Sequence, residues 1–314
     1  FWTYYMGTGD RQTIADVLPR VKKYIHVWKT DAQGLVIPRS GGWTWGDWGE
    51  NKDMTLLFNL WYVIALKGYE EMNQLAGEAE EAAWARTTAD KLRKVFHRTF
   101  WNGKYYISPG YQGKPDDRAQ ALAVVSGVLP KELYPVIRPF FSTWYHASPY
   151  MEKYVLEALC TMGYYQDALN RMKLRYRVMI ESPLTTLWEG WGIGSEGFGG
   201  GTYNHAWSGG PLTILSQYIA GIETLEPAFR TFRVAPHPAH LNFIRTQVPL
   251  SGGRRIVFEM DKSAHGGTMY LRVPEGTSAQ VVLPAEFQCW SVNGEPKNER
   301  QLTLAAGEWH FEMS

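Results

Sequence analysis

The chain has 314 residues, 45% hydrophobic and 20% charged, which suits one large folded domain plus a small one and excludes disorder. Lys and Arg number 32 against 31 Asp and Glu, so no basic field exists to hold nucleic acid. Mean hydropathy is −0.31, and no apolar run of about 18 residues offers a transmembrane helix. Cys160 and Cys289 stand far apart and outside any CxxC pattern, and the eight histidines show no HxH or HExxH spacing. A zinc site, a disulfide framework and metalloenzyme chemistry are therefore disfavoured, and no metal or cofactor is expected.

In chain order, the opening FWTYYMGTGD reads as the end of a helix. Asp10 caps a helix over about 11–29, with Ile14, Val17, Leu18, Val21 and Ile25 at helical spacing. A Gly- and Trp-rich loop over 32–49 follows. Asn51 caps a long helix ended by Gly77, and 78–98 is another, acidic early and basic late. An Asn-Gly turn lies in 100–106, and Asp116 or Asp117 caps a helix through Val128. Ser148-Pro149 starts the next, with Gly163 past its end; 165–180 and 210–222 complete the series. These seven or eight helices, several apolar on more than one face, suit an antiparallel double ring better than a four-helix bundle. The count is uneven for a closed ring, which points to missing N-terminal helices. Beyond Pro227 the pattern becomes short alternating runs separated by SGG, HGG, PEG and NGE turns, a small antiparallel β-sandwich. The expected domains are therefore 1–227 and 228–314, the second a structural cap.

Aromatic content is high, with 14 Trp, 18 Tyr and 13 Phe. Such rings fill cores, and they also stack on the flat apolar faces of sugars. Three segments could carry chemistry. In GGWTWGDWGENKD (41–53), Trp45, Asp47, Trp48 and Glu50 share a loop with Trp43 and Asp53. Rings stacking a sugar while carboxylates accept its hydroxyl protons would explain both residue types; capping of the next helix by Asp47 or Glu50 is the plainer alternative. In PLTTLWEGWGIGSEGFGGGTYNH (183–205), Glu189 lies between Trp188 and Trp191. A carboxylate between apolar rings suits acid or base work near neutral pH. Trp191 would wall a sugar site, the glycine-rich 192–201 would form a loop at its edge, and Asn204 and His205 would stand at the same mouth. That glycine run lacks a GK[ST] ending and is no phosphate loop. In PDDRAQALAVVSGVLP (115–130), a helix cap and a salt bridge explain Asp116, Asp117 and Arg118 best. Tyr145, His146, Tyr150 and Glu152 also stand at a helix start that could face the pocket. No GxSxG or Ser-His-Asp pattern supports acyl transfer, which leaves two-carboxylate sugar chemistry.

TTLWEGW (185–191) and the following YNHAWSGGPLTILSQYIAGIETLEPAFRTFRVAPHP resemble the late catalytic region of glycoside hydrolase family 78, the bacterial α-L-rhamnosidases. Gly46-Asp47-Trp48 resembles that family's GDW segment, YMGTGD the helix end before it, and the residues beyond 227 its C-terminal β-sandwich. The resemblance covers nearly the whole chain. It implies an (α/α)6 toroid followed by the sandwich, and inverting hydrolysis of terminal α-L-rhamnosides. Glu189 aligns with the general base; Asp47, Trp48, Trp191 and His205 align with sugar-contacting positions. The family's general acid lies in an RDE-type segment that has no match here, so the resemblance places it upstream of Phe1. A carbohydrate is the implied partner, and periplasmic or extracellular location is implied by the family alone; no oligomeric state follows. Another toroidal carbohydrate-active enzyme, or a non-catalytic sugar-binding fragment, is the alternative reading.

Overall fold

The computed structural model describes residues 1–39, 44–192 and 201–314. The chain forms two compact units, one of residues 15–211 and one joining 1–14 to 212–314. Nine helices precede ten strands among the described residues.

The larger unit is helical. Helix α2 (Arg11–Val27) reaches α3 (Met54–Ala76), where the Tyr62 hydroxyl donates to the Ile25 carbonyl at 3.2 Å. Helix α3 turns at Gly77, φ 81°, and packs against α4 (Ala79–Phe100) as a hairpin. Asp53, not Asn51, caps α3, its carboxylate accepting Leu56 N–H. Asn51 instead takes the left-handed conformation, φ 56°, and its side chain accepts Lys114 N–H. Helix α5 (Asp117–Val125) is capped by Asp116 and packs on α3 and on α7 (Pro149–Thr161). Its run Asp117–Val124 is buried on every side, as a helix enclosed between two others requires. Gln120, buried there, accepts Tyr106 N–H and donates to Tyr106 O, satisfying an isolated loop residue as a strand neighbour would. The sequence showed no sign of α6 (Tyr134–Ile137), a single turn. Helix α7 leads through Gly163 to α8 (Tyr165–Ile180). The core of this unit holds Leu57, Leu60, Val63, Phe96, Leu122 and Leu156, all essentially without exposure.

The other unit begins with α1 (Trp2–Thr8), closed by Gly9. Helix α9 (Gly210–Ile214) runs into a π turn over Leu215–Ile219, and strand β1 (Ile222–Thr224) begins at Ile222, the expected last residue of the helix. Gly221 separates them: its φ is 70°, and a Cβ there would stand 1.9 Å from the Ala235 carbonyl oxygen. A four-stranded sheet has the order β1, β2 (Thr231–Val234), β6 (Ser278–Val282), β9 (Gln301–Leu304). A six-stranded sheet runs β3 (Phe243–Pro249), β4 (Arg255–Ser263), β5 (Gly266–Val273), β10 (Gly307–Met313), β7 (Trp290–Val292), β8 (Glu295–Lys297). All pairings are antiparallel except β2 with β6, which is parallel and departs from the purely antiparallel expectation. Ile256, Phe258 and Met260 alternate inward along β4, with Met269, Leu271 and Val273 beside them on β5.

Candidate active site

Three segments of the helical unit meet at the start of α7. Ser148 caps that helix, its hydroxyl accepting Met151 N–H at 3.4 Å, and Pro149 occupies the first turn. Asp47 is bound to this cap. Ser148 Oγ donates to Asp47 Oδ1 at 2.5 Å and Ser148 N–H to Oδ2 at 3.0 Å. Arg118 of α5 completes the set, Nη1 to Oδ2 at 3.1 Å. Arg118 also donates to the carbonyls of Trp48 (2.9 Å) and Glu50 (2.5 Å), so the loop wraps around one buried guanidinium. Asp47 is 1% exposed. Burial raises its pKa, against the opposing pull of Arg118 and Ser148. Both oxygens accept hydrogen bonds from Ser148 and Arg118, so Asp47 braces the loop. Glu50 is exposed and engages Arg118 through its carbonyl alone among the described contacts. Trp45, half-buried, stacks on Trp207 at 6.1 Å and packs against Tyr150 (5.6 Å) and the edge of Trp48 (6.3 Å).

The second segment is a clasp between 186–189 and 202–208. Glu189 N–H donates to Thr202 O at 3.0 Å and His205 N–H to Leu187 O at 2.9 Å. The Thr186 hydroxyl holds Tyr203 O, Ser208 holds Trp188 O, and Trp207 Nε1 donates to Glu189 O at 3.0 Å. With its backbone fixed on both sides, Glu189 presents a carboxylate 23% exposed. Oε2 accepts Thr202 N–H at 2.9 Å and the Thr202 hydroxyl at 3.3 Å, with His205 Nδ1 at 3.6 Å. Oε1 has no protein partner among the described residues. His205 Nδ1 lies 2.9 Å from Thr202 Oγ1, its ring 4.5 Å from that of Trp207. Asn204 is exposed. The glycine run expected to edge the pocket falls, over 193–200, outside the described residues, as does Trp43.

A buried charge cluster supports the third wall. Arg171 of α8 uses every N–H: Nε and Nη2 to Glu152 (2.5 and 2.9 Å), Nη2 also to Asp117, and Nη1 to the carbonyls of Phe141 (2.7 Å) and Trp144 (2.9 Å). Burial alone would depress this guanidinium, but Glu152 and Asp117 outweigh it and hold it above its ordinary value. Asp117 in turn accepts the N–H groups of His146 and Ala147, each at 3.1 Å. One turn along α8, Arg175 lies 4.1 Å over the Trp191 ring, and Tyr176 meets the same ring edge-on at 5.0 Å. Trp191 Nε1 and Arg175 Nη2 both donate to the Ala147 carbonyl, each at 2.7 Å.

Residues 147–150 thus join the two sequence segments: Ala147 to Trp191, Ser148 to Asp47, Tyr150 to Trp45 and Trp207. Sequence reasoning reached Trp45, Asp47, Trp48, Glu189, Trp191 and His205. It missed Thr202 and Trp207, although both flank the quoted NH pair, and it missed Arg171 and Arg175, whose i, i+4 spacing on a buried face is the only signal. The Asp116–Arg118 pair is the cap and salt bridge expected, and Glu152, a weaker candidate, is a fully buried partner of Arg171. Among the described residues no cluster of three or more His, Cys, Asp or Glu could hold a metal, and no helix is long and apolar enough to cross a membrane.

Residues 1–219 match the family described as bacterial alpha-L-rhamnosidase 6 hairpin glycosidase domain, and 221–295 match the bacterial alpha-L-rhamnosidase C-terminal domain. The chain belongs to the bacterial α-L-rhamnosidase family. Its helical part has the six-hairpin glycosidase fold, followed by the family's C-terminal β domain. An alpha-L-rhamnosidase of Streptomyces avermitilis is 23% identical over 91% of this chain and 28% of its own length. The alpha-L-rhamnosidase structure from Dictyoglumus thermophilum superposes with a TM-score of 0.85 at 18% identity, covering 100% of this chain and 38% of that one. The family 78 rhamnosidase of Bacillus sp. GL1 gives 0.79 at 26% identity, covering 90% and 32%. The chain therefore spans about a third of the length of the relatives it matches.

Proposed function

We propose that this chain carries the base side of an inverting α-L-rhamnosidase site, with Glu189 as the general base that activates water. The observation behind this reading is the state of one carboxylate. Glu189 is partly exposed, fixed through backbone and Oε2, and without a partner at Oε1 among the described residues. A base needs that combination: a held orientation and one free lone pair aimed at a water. Trp45, Trp48, Trp191 and His205 supply the sugar walls and polar mouth, while Asp47, through Ser148 and Arg118, keeps the tryptophan loop in place.

In the reaction, a water gives a proton to Glu189 Oε1 as its oxygen bonds to the anomeric carbon. The glycosidic C–O bond breaks, its electron pair leaving with the aglycone oxygen, which a general acid protonates. No residue of this chain is assigned as that acid. An inverting pair stands about 6.5–9.5 Å apart to admit the water, so the acid belongs opposite Oε1 at that spacing.

The test is hydrolysis of an aryl α-L-rhamnoside by the full-length protein, followed by proton NMR of the first sugar released. The β anomer is expected first, and Glu189→Gln is expected to lower kcat by about a hundredfold or more with the fold intact. Wild-type turnover in that variant, or initial release of the α anomer, would remove Glu189 from this role. Saturable rhamnose binding without turnover would leave a sugar-binding module instead.

A further inference from the structure

We propose that Thr202 is a positioning residue for Glu189, holding Oε2 so that Oε1 alone serves as the base; this rests on the reading of Glu189 given above. The argument is one of hydrogen-bond inventory. Thr202 meets the carboxylate twice at one oxygen, by its N–H at 2.9 Å and its hydroxyl at 3.3 Å. A threonine hydroxyl has a single proton to donate. With that proton directed to Oε2, Oγ1 is an acceptor toward His205 Nδ1 at 2.9 Å, so Nδ1 carries the imidazole proton. The result is a directed chain, His205 Nδ1–H to Thr202 Oγ1–H to Glu189 Oε2. Its polarity is self-consistent: the opposite tautomer would take the hydroxyl proton away from the carboxylate and leave the oxygens of Thr202 and Glu189 facing each other without a proton between them.

The backbone around it makes the chain rigid. Glu189 N–H to Thr202 O at 3.0 Å closes a reciprocal pair with Thr202 N–H to Oε2, so the same two residues are tied in both directions. Gly201 lies against the carboxylate, where a Cβ would come 3.5 Å from Glu189 Cβ and 3.8 Å from Oε2. His205 N–H to Leu187 O then sets the imidazole at the height of the threonine hydroxyl. A carboxylate without such a tie rotates freely about its last bond and offers either oxygen to the water. Here two donors and the imidazole select one. Position 202 therefore acts on the geometry of attack and not on sugar affinity, and a hydroxyl there is the requirement.

The experiment compares Thr202→Val and Thr202→Ser, with Thr202→Ala as a second hydroxyl-free variant should valine fail to fold, each alone and with Glu189→Gln. The substrate is a dinitrophenyl α-L-rhamnoside, whose leaving group needs no protonation, so the rate reports the base side alone. Valine or alanine is expected to lower kcat about tenfold to a hundredfold, a share of what a positioned base contributes, with KM unchanged within twofold, and serine to restore it. In the Glu189→Gln background the same change is expected to have no further effect, because a residue acting through Glu189 has nothing left to position. An undiminished kcat in the hydroxyl-free variants, a loss expressed in KM, a failure of serine to rescue, or an equal loss in the Glu189→Gln background would each overturn the assignment while Glu189 stays the base. Wild-type turnover of Glu189→Gln alone would instead overturn the general-base reading beneath it.

Discussion

Asp116→Asn should gain stability relative to the wild-type protein as pH rises from 4 to 8. Asp116 caps α5 through Oδ1, which accepts Ala119 N–H at 3.1 Å and Arg118 Nε at 3.2 Å. Its other oxygen, Oδ2, is buried with no partner among the described residues. Burial, against the pull of Arg118, pushes this carboxyl from its ordinary 3.8 up to about 6. At about 1.4 kcal/mol per pH unit, keeping it ionised in the folded state costs about 3 kcal/mol. The sign follows from the raised value. Below about pH 4 the group is neutral in both states and exacts nothing; between pH 4 and 6 the unfolded state ionises while the folded state stays protonated, so the penalty builds over that window and is complete above 6. Asparagine keeps the acceptor for the cap, where it ranks with aspartate, and never ionises; the amide donors it puts at the partnerless oxygen's position carry a cost that does not change with pH. Urea unfolding followed by tryptophan fluorescence should therefore show the stability difference between variant and wild type moving by about 2–3 kcal/mol in the variant's favour between pH 4 and pH 8. Groups shared by the two proteins cancel in that difference. A difference that does not change with pH, or that moves against the variant as pH rises, would refute the reasoning.

Two further outcomes follow from other sites. Arg171→Met removes the cation that Asp117 and Glu152 share, leaving Arg175 at 3.5 Å from Glu152; this should cost about 3–5 kcal/mol and lower the thermal midpoint by on the order of 10 °C; lysine, lacking the planar fork, should not restore it, and a midpoint within two or so degrees of wild type would show the cluster to be dispensable. Cys160 is buried and its thiol is pushed up to about 12, whereas Cys289 is exposed. A thiol reagent should titrate one cysteine in the native protein and the second only after unfolding; two native equivalents would contradict the packing around α7.

Much of the helical order was legible because it rests on local chemistry. Ser148-Pro149, Gly77 and Gly163 are start and stop signals that act within one turn, and α8 falls over Tyr165–Ile180 as its pattern predicts. Errors arose where distant contacts decide. Asn51 and Asp53 are both good caps, and only the wider structure, with Ser108 held by Asp53 and Lys114 N–H by Asn51, selects between them. Strand β8 was missed because Glu295-Pro-Lys297 has no apolar alternation; it pairs as the edge of its sheet, where proline is tolerated. At the candidate site, residue types pointed to Asp47 and Glu189 alike. The sequence could not tell that one carboxylate is sealed against a helix cap while the other keeps an oxygen without a partner among the described residues. That distinction comes from Ser148 and Thr202, 101 and 13 residues away from their partners.

The four residues from Ala147 to Tyr150 act as a keel for the surrounding walls. One carbonyl takes both an indole and a guanidinium, the next residue takes the brace of the tryptophan loop, and a ring two positions later seats two more indoles. Adding or deleting a single residue in the preceding turn would shift all of these attachments by one position at once. Tailoring of this site by drift or design is therefore confined to side chains hung on that frame, since its length is common to every wall.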